Sequence, residues 1–290
     1  MKIILTGGTG FIGSRILSKL TKFNHEILIL SRKKIKSKRN VKYIQCDLFK
    51  PNSYLDKIKK FKPHILIHCA WYDIENLNKK ENSSNNLKYS KFLINKVIKL
   101  KSLKKILIAG SCFEIKNKKN KVSEKCSLNV MSHFARAKTS LLKHIKKVIK
   151  KNQKFYWLRI FYAYGPGNRD GTIIPMIIKN LKDNKPFVIK NPKNELDYIY
   201  VEDIADYFIK ILLINPKSGI YNVSSGKLTS IKFIFRFLKS KINRNYKFHV
   251  FGKSKKNLSY YGSTKKSFLN LYWKPQVKIN SGLSKTIRKL

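Results

Sequence analysis

The sequence predicts an α/β protein built on a doubly wound parallel sheet, followed by a smaller C-terminal lobe. Apolar runs of strand length alternate along the chain with longer stretches of helical period, the pattern of a parallel sheet covered by helices on both faces. A glycine-rich turn, Thr6-Gly7-Gly8-Thr9-Gly10-Phe11-Ile12-Gly13, stands between the first apolar run and the first helical stretch. That position makes it a candidate phosphate-binding turn.

The expected strands are Lys2–Thr6, Glu26–Ser31, Val41–Gln45, His64–Ala70, Lys105–Gly110 and Lys154–Ile160, each rich in Ile, Leu or Val and suited to burial on both faces. Helices are expected between them at about 11–22, 52–60, 82–100 and 131–151. After Tyr164-Gly165-Pro166-Gly167 the pattern loosens into a loop, a helix near 171–184 and connections containing Pro186 and Pro192. The expected boundaries are therefore 1–165 for a nucleotide-binding domain and 166–290 for the bulk of a second lobe. A chain of 290 residues has the length for both.

Charge is the most unusual feature of the composition. Lys and Arg total 64 against 15 Asp and Glu, a formal net charge of +49. Arginine occurs at only nine positions, and the lysines spread over every segment. Specific phosphate and base recognition favours arginine forks, so the charge reads as a lysine bias on solvated faces and nucleic acid is not the expected partner. An anionic substrate would still be drawn in. The Lys-rich stretches Arg32–Arg39 and Lys116–Lys121 read as solvated loops.

The run Ile3-Ile4-Leu5 stops too early for a signal peptide, and no run approaches the ~18 apolar residues of a membrane span. A soluble, cytoplasmic protein without a membrane partner is expected. Cys46, Cys69, Cys112 and Cys126 show no CxxC spacing, which suits reduced thiols and gives no zinc site.

In the glycine turn, Gly7 permits the tight bend, Gly10 lets the backbone approach a pyrophosphate, and Gly13 lets the helix pack against the strand. The helix N-terminus, with Phe11 and Ile12 in its first turn, offers unpaired N–H groups and a positive dipole end. The spacing G-x-x-G-x-x-G resembles the extended short-chain dehydrogenase/reductase family of nucleotide-sugar epimerases, dehydratases and reductases. The resemblance runs through essentially the whole chain and implies a Rossmann fold, with segments around 195–225 returning from the substrate-binding lobe to the first domain.

The resemblance implies a nicotinamide dinucleotide. At the end of the second strand, where an NAD enzyme places an acidic residue, this chain has Ser31-Arg32-Lys33. A hydroxyl and a guanidinium suit a 2′-phosphate, so NADP is expected ahead of NAD. Cys46-Asp47-Leu48 resembles the family element whose carboxylate, here Asp47, meets the adenine. His68-Cys69-Ala70 resembles the stretch that lines the cofactor riboses; Ala70 is a cofactor residue on that reading and His68 a packed strand-end histidine. Asn86 resembles the family's helix-initiating asparagine.

The family's chemistry uses a Ser or Thr hydroxyl, a Tyr, and a Lys four residues later. Ser111, ending Ile106-Leu107-Ile108-Ala109-Gly110-Ser111, resembles the hydroxyl residue, and a serine that only caps the strand end is the alternative. Cys112-Phe113 replaces the Asp-Glu of a 4,6-dehydratase. Phe134-Ala135-Arg136-Ala137-Lys138 resembles the Y-x-x-x-K motif with phenylalanine at the tyrosine position. Phenylalanine fills the same volume without an ionisable oxygen.

Three readings follow: a protein without turnover, an enzyme using Ser111 or a water, or one in which Tyr162, His133 or Glu114 supplies the proton. Leu158 to Gly167 resembles the segment leading into the sugar-nucleotide site, with Tyr162 where a substrate-contacting asparagine is common. Glu195 to Ala205 resembles the Arg-Asp-Phe-x-x-Val-x-Asp segment, with Leu196 replacing the arginine that meets the pyrophosphate. Asp197 and Asp203 are expected to cap the following helix or to touch substrate.

The resemblance thus implies a 4-keto reductase or 4-epimerase acting on a nucleotide-activated sugar. It also implies a homodimer through the helices at 82–100 and 131–151. The alternative is a catalytically silent NADP-binding regulatory or scaffold protein, motivated by Phe134 and Leu196.

Overall fold

The structure is a computed structural model that describes residues 1–290 except 34, 38, 117, 118, 129, 253–256, 289 and 290. In chain order the first elements are β1 (Lys2–Thr6), α1 (Phe11–Leu20), β2 (Glu26–Ser31), β3 (Val41–Gln45), α2 (Leu55–Phe61), β4 (Ile65–His68), α3 (Lys80–Val97) and β5 (Lys105–Ser111). They are followed by β6 (Lys119–Val122), α4 (His133–Val148), β7 (Lys154–Ile160), β8 (Tyr162–Tyr164), α5 (Ile173–Lys182), β9 (Phe187–Ile189), β10 (Glu195–Leu196), β11 (Tyr198–Tyr200) and α6 (Val201–Ile214). The chain closes with β12 (Gly219–Val223), β13 (Thr229–Ser230), α7 (Ile231–Ile242), β14 (His249–Phe251), β15 (Ser259–Gly262), α8 (Lys265–Leu271) and α9 (Ile279–Ile287).

The six apolar runs that were expected as strands all enter one seven-stranded sheet, in the order β12-β7-β5-β4-β1-β2-β3. Strand β1 runs parallel to β2 and β4, β2 to β3, and β4 to β5. This is the doubly wound Rossmann architecture. The strand order reverses between β1 and β4, where such sheets open a crevice beyond the C-terminal strand ends.

The chain divides into two compact units. The first holds residues 1–117, 127–159 and 205–221, and the second 118–126, 160–204 and 222–290. In the first unit, α3 turns Leu93, Ile94 and Val97 inward and α4 turns Leu141, Leu142 and Ile145 inward, all buried with Ile4, Leu66, Ile106, Ile108 and Trp157 of the sheet. Residues three and four apart share a helix face, so each helix presents one apolar stripe to the strands. Ser132 caps α4 by accepting the Ala135 N–H at 3.1 Å, which fixes the helix start.

The second unit is built on a four-stranded sheet, β13-β10-β15-β6, and two two-stranded sheets, β11-β8 and β14-β9. Strand β6 corrects the expectation of a solvated loop over Lys116–Lys121. Lys119–Val122 pairs in parallel with Ser259–Gly262, a partner so distant in sequence that local charge gave no sign of it; residues 117 and 118 lie outside the described residues, as do 34 and 38 of the Arg32–Arg39 stretch. Asp197 is fully buried in this unit and accepts the N–H and O–H of Ser225 and the N–H groups of Gly226 and Gly262. It therefore ties two connections together. Among the described residues no helix is long and apolar enough to cross a membrane.

His68 joins three elements of the first unit. Its Nδ1 pairs with Thr6 Oγ1 at 2.8 Å and its Nε2 with Ser90 Oγ at 3.0 Å. Burial, with the Lys138 charge nearby, lowers its pKa from 6.5 to about 3. Below pH 6.5 the unfolded chain takes up a proton that the folded chain refuses, so the stability contributed by neutral His68 is complete above 6.5 and is lost as pH falls toward 3. Denaturant titrations are expected to show a loss of about 2 kcal/mol from this group between pH 6.5 and 5. His68→Gln should flatten that part of the profile, and an unchanged slope would contradict the assignment.

Candidate active site

The glycine turn lies at the C-terminal end of β1. Gly7 has φ +71°, and a Cβ there would stand 2.7 Å from the Ala70 nitrogen. A Cβ on Gly13 would collide with the Gly7 carbonyl oxygen. Only glycine fits either position, and the result is close packing of α1 on the turn. Gly10 occupies the N-cap position with no side-chain cap, and no acidic residue lies in the first turn. The helix therefore presents Phe11, Ile12 and Gly13 with their backbone donors uncapped by any side chain, an arrangement that fits the pyrophosphate of a dinucleotide.

Around this turn the structure gathers most of the cofactor residues expected from the sequence. Ala70 follows β4 and donates its N–H to Thr6 Oγ1 at 3.3 Å. Ser31 ends β2, is buried, and accepts the Lys33 N–H at 3.1 Å. Asp47 follows β3 and accepts the Phe49 N–H at 2.9 Å, while Leu48 packs against the core. The Arg32 guanidinium sits 4.8 Å from the centroid of the Tyr72 ring, a cation–π contact that orients it. Asn86 does not begin a helix: α3 starts at Lys80, and Asn86 clamps the Tyr72 backbone, accepting its N–H at 2.7 Å and donating to its carbonyl at 3.0 Å.

Ser111 ends β5 within a reciprocal cap. Its Oγ accepts the Phe113 N–H at 3.2 Å, and its own N–H reaches Glu114 Oε1 at 2.6 Å. The capping role and a substrate role are compatible, because the hydroxyl proton stays available to donate. Glu114 is fully buried, and its Oε2 takes the Trp157 Nε1–H at 2.8 Å and lies 3.5 Å from Arg159 Nε. Burial pushes the Glu114 carboxyl up, while Arg159, the Ser111 N–H and the Trp157 N–H pull it down. Both carboxyl oxygens are engaged inside the protein, which leaves Glu114 a scaffold for Ser111.

Phe134 and Lys138 lie one turn apart on α4. The Phe134 ring meets Trp71 edge to face at 5.5 Å and Phe113 at 6.1 Å. Lys138 Nζ donates to the Ala109 carbonyl at 2.9 Å and lies 3.8 Å from the Trp71 ring centroid. Burial pulls its pKa down to about 8, opposed by Glu114 and Cys69. Trp71 went unnoticed as a site residue in the sequence; its place directly after the ribose-lining stretch His68-Cys69-Ala70 was the available signal.

Tyr162 and Leu196 belong to the second unit. Tyr162 Oη shares a hydrogen bond with Tyr260 Oη at 2.8 Å. Leu196 is buried in β10, which pairs with β13 and β15.

A family model described as "NAD dependent epimerase/dehydratase family" matches residues 3–224. The chain belongs to that family. Its relatives include a CDP-abequose synthase of Salmonella muenchen, 24% identical over 295 residues, with 99% of this chain and 97% of the relative covered. Another is a dTDP-4-dehydro-6-deoxyglucose reductase of Escherichia coli, 23% identical over 309 residues, with 99% and 97% covered. Among solved structures, the UDP-glucuronic acid 4-epimerase from Bacillus cereus in complex with UDP-glucuronic acid and NAD superposes with a TM-score of 0.88 at 20% identity, covering 100% of this chain and 98% of that one. In this family member the Glu114 pair is structural. Glu114→Ala is expected to cost about 3–5 kcal/mol, because it leaves the buried Arg159 charge without its carboxylate; urea unfolding measures this, and a loss below about 1 kcal/mol would show that the pair contributes little.

Proposed function

We propose that this protein is a nicotinamide-dinucleotide-dependent enzyme acting on a nucleotide-activated sugar, as a 4-keto reductase or 4-epimerase. The observation that carries the reading is the convergence of Ser111, the Phe134 position and Lys138 beside the uncapped glycine turn. The relatives with reductase and synthase names and the NAD-bound 4-epimerase structure support the same class.

Gly7, Gly10, Gly13 and the first turn of α1 would hold the dinucleotide pyrophosphate, Asp47 and Leu48 would border the adenine, and Ala70 and Lys138 would border the riboses. The bound dinucleotide supplies a reversible acceptor and donor of hydride. Ser111 would orient the sugar oxygen by donating its hydroxyl proton. NADP is proposed ahead of NAD because β2 ends without a carboxylate and Arg32 is oriented by Tyr72.

Phe134 also favours a second reading, a protein that binds dinucleotide without turning over. Fluorescence titration with NADPH and NADH is expected to show binding of both, NADPH the tighter. Incubation with nucleotide 4-keto sugars is expected to consume the reduced dinucleotide slowly, and Phe134→Tyr to accelerate this by ~10²–10⁴. Binding without consumption by either protein would favour the silent reading, and failure to bind either dinucleotide would remove both.

The homodimer that the family resemblance implies would use the outer faces of α3 and α4. Lys88, Lys96, Lys143 and Lys147 are exposed on these helices, so like charges would meet across such an interface. Sedimentation is expected to show a dimer fraction that rises with salt as the repulsion is screened; a dimer that weakens with salt would place the interface elsewhere.

A further inference from the structure

The reaction proposed above moves a proton to or from a sugar oxygen, and the side chain at position 134 has none to give. We propose that the Lys138 amine is itself the proton carrier, standing in for the missing phenol. This rests on the dinucleotide-enzyme reading and names its acid and base.

Geometry comes first. Lys138 Nζ lies 5.8 Å from the Phe134 ring centroid and 3.8 Å from that of Trp71. An ammonium has three N–H donors, and among the described residues the Ala109 carbonyl takes one of them. A second is left for a ribose hydroxyl and a third for the sugar oxygen. After losing one proton the amine keeps its bond to Ala109, so the nitrogen stays in place with its lone pair as an acceptor.

The groups that face Lys138 are His68 and Cys69 at the end of β4 and Glu114 after β5. His68 stays neutral because burial lowers its pKa to about 3, and burial pushes the Cys69 thiol up, so neither competes as a charged group near neutral pH. Glu114 and the Trp71 ring face stabilise the ammonium, and burial destabilises it. The balance leaves amine and ammonium both populated close to pH 8, the condition an acid–base catalyst needs.

The step balances without further reagents. In the oxidative direction the sugar O–H passes its proton to the neutral amine, the carbon–oxygen bond becomes a carbonyl, and the C–H hydrogen leaves with its electron pair to the oxidised nicotinamide dinucleotide. In the reductive direction the ammonium returns the proton to the carbonyl oxygen as the carbon receives the hydrogen and electron pair. Phe134, Phe113 and Trp71 supply apolar walls around the exchange.

The first test needs no ligand. Tryptophan emission followed from neutral to alkaline pH is expected to step near pH 8 as the charge over Trp71 is lost, and Lys138→Met is expected to abolish the step. A wild-type protein without the step, or a step that survives in Lys138→Met, overturns the proposal. The second test compares Lys138→Arg, which keeps the charge but holds its proton at every working pH. At saturating dinucleotide, kcat is expected to fall ~10²-fold or more, and adding Phe134→Tyr to that variant is expected to restore at least about tenfold. Turnover by Lys138→Arg within about fivefold of wild type overturns the proposal and leaves the enzyme reading standing. Failure of the wild type to bind any dinucleotide overturns the enzyme reading and the proton carrier with it.

Discussion

A carboxylate removed from water must be met by donors on every side, and the donors that meet Glu114 organise the C-terminal end of β5. Ser111 reaches it through its backbone N–H, Trp157 through its indole, and Arg159 through its guanidinium. The first lies on β5 and the other two on the neighbouring strand β7. Together they hold the strand terminus that presents the Ser111 hydroxyl. A buried pair of this kind adds little net stability over well-packed apolar residues, yet removing one member is costly. Its value here is positional.

The same carboxylate acts through space on Lys138. Burial weakens the lysine's hold on its proton, and Glu114 restores part of the preference for the charged form. The aromatic wall formed by Trp71, Phe113 and Phe134 lowers the local polarity and strengthens every charge interaction behind it. With phenylalanine at position 134, that side chain brings no ionisable oxygen to Lys138, and its ring joins Trp71 in bordering the amine. The fold tolerates this because the ring volume is kept and the ring finds edge-to-face partners.

How legible the molecule was depends on the range of the interactions involved. The strands β1, β2 and β3 begin and end where their apolar runs do, because a strand buried on both faces needs an unbroken apolar stretch. The glycine turn was legible for a similar reason: each glycine answers a local steric demand, a positive φ at Gly7 and a contact with the Gly7 carbonyl at Gly13. Asn86 was misplaced as a helix start, since α3 is extended to Lys80 by residues with no strong cap. Strand β6 was misread as loop because its partner, β15, lies far along the chain.

The sequence by itself determined the alternation of strands and helices, the glycine turn after β1, and the phenylalanine four residues before Lys138, since each is written in neighbouring residues and their types. Only the tertiary structure decided what surrounds Phe134 and Lys138. Trp71 over Lys138, Ala109 as its hydrogen-bond acceptor, and Glu114 locked between Ser111, Trp157 and Arg159 are contacts between elements distant in sequence. The burial and charge that set the lysine's proton affinity arise from those contacts, and no local pattern encodes them.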